Sequence, residues 1–170
     1  MANPTLFQLA TTTVGSGGVS SVTFSAIPQT YTDLLIKGSA RATTSVSNWV
    51  DIDVTINGST SNFSFKELYG TGSSAAASNG TTGIFGYSNG SVATANTFSN
   101  FECYIPNYTS SNYKSFSADS VTENNATAAL AIFDAGLWSN TAAITSISLA
   151  PNGTNFLQYS TFTLYGIRNY

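Results

Sequence analysis

The sequence predicts an all-β chain folded as an antiparallel two-sheet β-sandwich of jelly-roll type. Apolar residues recur at every second position along most of the chain, whereas the i, i+3, i+4 pattern of an amphipathic helix does not. Asn-Gly pairs, which tolerate the positive φ that tight hairpin turns demand, stand among the alternating runs at Asn57-Gly58, Asn79-Gly80, Asn89-Gly90 and Asn152-Gly153. The composition agrees: 13% of residues are aromatic, and short β-branched runs repeat at near-regular spacing, as in sandwiches. At 170 residues the chain is long enough to bury a core without disulfides or metals.

The elements follow in order. Leu6-Phe7-Gln8-Leu9, in a segment over 6–11, precedes Gly15-Ser16-Gly17-Gly18 and reads as an N-terminal arm or edge strand. Residues 1–18 are therefore set apart from a single sandwich domain over 19–170. Val22, Phe24 and Ala26 alternate within 20–26, and a further strand is expected over 33–42. In 49–57, Val50, Ile52, Val54 and Ile56 face one way while Asp51, Asp53 and Thr55 face the other, and Asn57-Gly58 supplies the turn. Strands over 62–69 and 83–87 flank residues 70–83, which hold no large side chain and so predict a surface loop. Phe101, Cys103 and Ile105 alternate within 97–105, and 113–122 follows. The segment 129–138 reads as a strand, although Leu130 to Trp138 also fits a short helix. Segments over 144–150, with Ile147 and Leu149, and over 159–168, with Phe162 and Leu164, close the chain. Some eight to ten of these eleven segments are expected as strands, the shortest being the ones to drop.

Charge restricts function. Only 8% of residues are charged, about a third of the share in an average domain, and the formal charge is −3. Five Lys plus Arg cannot neutralise a phosphate backbone or hold an anionic membrane, so neither nucleic acid nor membrane is expected as a partner. The absence of histidine and a single cysteine, Cys103, exclude Cys/His zinc sites and His-dependent nucleophiles within the chain. No cofactor or metal is expected. No Walker loop or G-x-G-x-x-G occurs. No cationic leader with an apolar run opens the sequence, which leads to the expectation of a soluble protein made in the cytoplasm.

The remaining candidates are few. Asp51 and Asp53 lie on one strand face about 7 Å apart, a spacing compatible with a hard cation or an acid/base pair and equally with a solvated outer face. Trp49 and Trp138 are candidate stacking platforms for a sugar ring, although aromatics serve cores and interfaces as readily. Leu6, Phe7, Leu9 and Arg41 are candidate interface residues, Arg41 because a guanidinium fork suits a contact or an internal pair. Cys103 falls on an apolar face and reads as a buried thiol.

Particular stretches carry a resemblance. Phe24-Ser-Ala-Ile-Pro-Gln-Thr-Tyr-Thr-Asp-Leu34 with Gly38-Ser-Ala-Arg41 resembles the opening of a group of small structural proteins of tailed bacteriophages. Tyr104-Ile-Pro-Asn-Tyr108, Lys114-Ser-Phe116, Gly136-Leu-Trp138, Tyr159-Ser160 and Leu164-Tyr-Gly-Ile167 extend it over most of residues 20–168. The resemblance implies a virion protein on the exterior of a head or tail, and carries over no catalytic residue. The role expected is a non-enzymatic capsid decoration or cement protein, bound to the major capsid protein and to copies of itself, with a trimer expected. The alternative is a receptor- or carbohydrate-binding module contacting host glycans. A glycan-degrading enzyme is a third class, with Asp51, Asp53 and Glu102 as the acids to test.

Overall fold

The computed structural model describes residues 5–125 and 128–168, so residues 1–4 of the expected arm lie outside the described range. Those residues form twelve strands and no helix: β1 (Leu6–Thr13), β2 (Val22–Phe24), β3 (Asp33–Ala40), β4 (Trp49–Ile56), β5 (Phe63–Gly70), β6 (Ala75–Gly80), β7 (Ile84–Asn89), β8 (Ser99–Ile105), β9 (Lys114–Val121), β10 (Ala131–Trp138), β11 (Ile147–Pro151) and β12 (Thr161–Ile167). They pair antiparallel in two sheets, an eight-stranded one ordered β1-β12-β3-β8-β9-β10-β5-β6 and a four-stranded one ordered β2-β11-β4-β7. The all-β two-sheet expectation therefore holds, and Leu130 to Trp138 contributes a strand rather than a helix. The N-terminal segment is an edge strand: β1 pairs along β12, with a register shift between Gln8 and Ala10.

Alternation explains which face each strand buries. Leu34, Ile36, Phe101, Cys103, Ile105, Phe116, Ala118, Trp138, Phe162 and Leu164 of the large sheet meet Val22, Phe24, Ile52, Val54, Ile56, Ile147 and Leu149 of the small one in a single core. Ring contacts such as Phe85 with Phe116 and Phe156 with Phe162 fill its centre. In three cross-strand pairs a phenylalanine ring lies over the glycine it faces: Gly38 with Phe101, Gly136 with Phe116 and Gly80 with Phe65. A Cβ on these glycines would lie 2.1, 2.0 and 2.5 Å from the facing ring, so each ring occupies the space that a side chain would have taken.

Two sequence expectations are corrected. Residues 75–80 of the expected loop form β6, which pairs with β5 from Phe65↔Gly80 to Gly70↔Ala75, so Asn79-Gly80 lies in a strand and not at a turn. Asn57-Gly58 does adopt the expected pair of positive φ values, 52° and 77°. It closes a small Ile56–Ser59 turn but does not join two paired strands, because β4 pairs with β11 and β7 whereas β5 belongs to the other sheet.

Arg41 lies just beyond β3 and is buried. Its guanidinium donates to the carbonyls of Ser91, Ala93, Thr94 and Thr97 at 2.8–3.1 Å, drawing the 90–98 segment onto the sandwich. With its donors directed at main-chain carbonyls, it takes the internal role of the two the sequence offered and is not available for an intersubunit contact.

Candidate functional site

A bulge builds the site. The β4–β7 register shifts between Asp51↔Tyr87 and Asp53↔Ile84, where Gly86 takes φ +137°. Residues three apart on a regular strand face opposite sides, and the extra residue brings Ile84 and Tyr87 onto one side while Phe85 stays in the main core. Ile84 and Tyr87 join Phe65, Leu130 and Ile132 in a second apolar cluster, with Trp49 and Tyr69 packed against it.

Over this cluster, at the edge of the small sheet, opens a cavity of about 280 Å³ lined by Trp49 and Asp51 from β4, Tyr87 from β7, Glu67 and Tyr69 from β5, Ser78 from β6, and Thr71 and Leu130. The large sheet brings a second acid close by. Glu67 and Asp134 are direct cross-strand partners, and Ser78 is the partner of Glu67 on its other side. Continuing along the same inward row, Asp134 pairs with Ala118, then Cys103 and Ile36, so the row passes from polar at the cleft to apolar under the small sheet.

The electrostatics follow from burial. Tyr87 Oη donates to Glu67 Oε2 at 2.5 Å, and burial followed by that bond raises the Tyr87 pKa far above its usual value. Asp134 is fully buried, and neither of its oxygens meets a protein donor among the described residues. Burial, then the facing Glu67 carboxylate, push its pKa up to about 7, so near neutrality Asp134 is only partly ionised. Burial, then Asp53 and Glu67, raise Asp51. Burial raises Asp53 as well, countered by a 2.8 Å bond from Asn152 Nδ2. Burial and the nearby Asp134 charge raise the thiol of Cys103, which is buried as the sequence suggested.

Of the residues nominated from sequence, Trp49 and Asp51 line the cleft. Asp53 is held by Asn152, and Glu102 lies on the outward face of β8 in a 2.7 Å ion pair with Lys37, so the three acids nominated for catalysis do not converge. Trp138 is 1% exposed within the main core and offers no ring face to a sugar, which corrects its nomination. Leu6 is exposed on β1, Phe7 packs on Tyr31 with Arg168 stacked over both rings, and Leu9 packs against the core. Sequence reasoning missed Glu67, Tyr69, Tyr87 and Asp134. A signal existed for the acids: Glu67 shares its phase with Phe63 and Phe65, and Asp134 shares its phase with Ile132 and Trp138, so each is an acid at an inward position.

The cleft carries two carboxylates and no Lys or Arg, with an aromatic wall at one side. Neither a scan of protein-family models nor a search of curated proteins matches this chain.

Proposed function

We propose that the chain is a non-enzymatic structural protein of a tailed-phage virion, a decoration or cement subunit on the particle exterior that packs against the major capsid protein and copies of itself. The observation that carries this reading is the outer end of the large sheet. Edge strand β6 exposes Ala75, Ala76, Ala77, Ser78 and Asn79, with no charge, proline or bulge to discourage strand pairing. Beside it, on the outward faces of β5, β10 and β9, stand exposed Leu68, Phe133 and Val121. An uncharged edge next to an apolar patch suits repeated contacts, whose strength salt screens little. Cryo-microscopy of purified virions tests the assignment: density for this fold on the capsid lattice is expected. Density only at a tail tip would overturn the decoration role, and absence from the particle would overturn the virion role.

The cleft favours a second reading, a receptor- or carbohydrate-binding module of a tail or head fibre, because Trp49 and Tyr69 stand beside carboxylates in an open cavity. Adsorption of the purified protein to host cells, inhibited by soluble host polysaccharide, is its test.

A further inference from the structure

We infer that the cleft between β4, β5 and β7 is a subsite for one saccharide ring, with Trp49 as the stacking wall and the carboxylates of Asp51 and Glu67 as hydroxyl acceptors. The inference rests on the binding-module reading and assigns the residues of its site.

Three observations converge on a donor-rich ligand with an apolar face. The first is the inventory of polar groups. Asp51 and Glu67 contribute four carboxylate oxygens to the lining, and no Lys or Arg lines the cavity. Tyr87 Oη, with a single proton to donate, gives it to Glu67. Thr71 Oγ1 lies within bonding distance of Ser73 Oγ, Ser74 Oγ and the Ser74 carbonyl oxygen, so its hydroxyl is engaged in the β5–β6 turn. The cleft therefore offers carboxylate acceptors with no cation lining it, beside the hydroxyls of Tyr69 and Ser78. A sugar ring supplies adjacent hydroxyls in the arrangement that a carboxylate accepts.

The second observation is shape. A volume of about 280 Å³ lies at the small end of ligand cavities, so it suits one ring with the rest of a glycan outside. The third is the wall. Trp49 and Tyr69 are half-buried against the Phe65, Ile84 and Ile132 cluster, so their rings are held in place and still reach the cavity. Immobile aromatics of this kind stack on apolar C–H faces with little ordering cost. A metal ion is the lesser fit, because no group of three or more acidic, Cys or His ligands with metal-holding geometry occurs among the described residues.

The experiment uses the full chain carrying Trp138→Phe, which leaves Trp49 as the reporting fluorophore, and a panel of glucose, galactose, mannose, rhamnose and N-acetylglucosamine at millimolar concentration. The expected result is a saturable change in Trp49 emission with at least one sugar, matched by saturation-transfer NMR on the unsubstituted protein. Asp51→Asn and Trp49→Leu should each weaken NMR-detected binding about tenfold or more, with unchanged circular dichroism. Leu137→Ala, outside the cleft, should not change it. Sugar binding that survives both cleft substitutions would overturn this site while leaving the module reading in place. Absence of binding to every sugar, and to host polysaccharide, would overturn both. A response to Ca²⁺ alone, without any sugar response, would make the cleft a cation site and overturn the saccharide assignment.

Discussion

Replacing Asp134 with asparagine should remove a pH-dependent weakness from the core. A carboxyl whose pKa is higher in the folded chain binds its proton more tightly there. Its stabilising contribution is complete below the unfolded value, near 3.8, and is lost as pH rises through the folded value of about 7. At 1.36 kcal/mol per pH unit, that interval of about three units corresponds to about 4 kcal/mol, a large share of the 5–15 kcal/mol typical of a whole domain. Asp134 is fully buried, so solvent does not dilute the effect. Asparagine keeps the shape, cannot ionise, and presents an N–H toward Glu67. Urea unfolding followed by tryptophan fluorescence, at steps from about pH 4.5 to 8.5, measures both proteins under the same linear extrapolation. The variant should gain on the parent as pH rises to about 7, by several kcal/mol, and hold that gain at higher pH. A stability difference that stays constant between about pH 5 and 8 would refute the account of the Glu67–Asp134 pair.

Three further outcomes follow from the fold. Arg41→Ala should destabilise the chain by about 3 kcal/mol or more, because it strips charged donors from four carbonyls. Hydrogen exchange should locate the loss at residues 90–98, and Arg41→Lys should restore only part of it. Gly136→Ala should cost roughly 1–3 kcal/mol through collision with the Phe116 ring, and Phe116→Leu in the same chain should recover part of that in thermal melts. Cys103 should resist a thiol reagent in the native protein and react on unfolding; fast native labelling would contradict its burial.

Much of the fold was legible because a two-residue period reports directly which side chains are buried. The runs ending in Ile56, Ile105 and Leu164 carried apolar residues at successive inward positions, and each became a strand. Strand β6 was not legible. Its Ala-Ala-Ala-Ser-Asn-Gly sequence has no side chain to signal burial and is held in place by main-chain pairing to β5. The division into eight and four strands was equally hidden, since alternation says which face is buried but not which neighbour is chosen. The candidate site was half legible. Trp49 and Asp51 stood out as types, whereas Glu67 and Asp134 needed both a strand phase and a register before their pairing could emerge. Tyr87 needed the bulge as well, which nothing local in Ile84-Phe85-Gly86-Tyr87 announces beyond its glycine.

The glycine–phenylalanine pairs bear on how so uniform a chain finds one alignment. Sliding β10 past β9 by two residues would keep every inward side chain inward, and the outward residues of β9, Ser115, Ser117 and Asp119, do little to oppose it. The same slide would bring the Phe116 ring against Asp134 or Trp138 in place of Gly136, and a matching slip between β3 and β8 would set Phe101 against Ile36 or Ala40. The rings and their notches thus act as detents along the sheet. They supply by shape the discrimination between alignments that a more charged sequence would draw from cross-strand ion pairs.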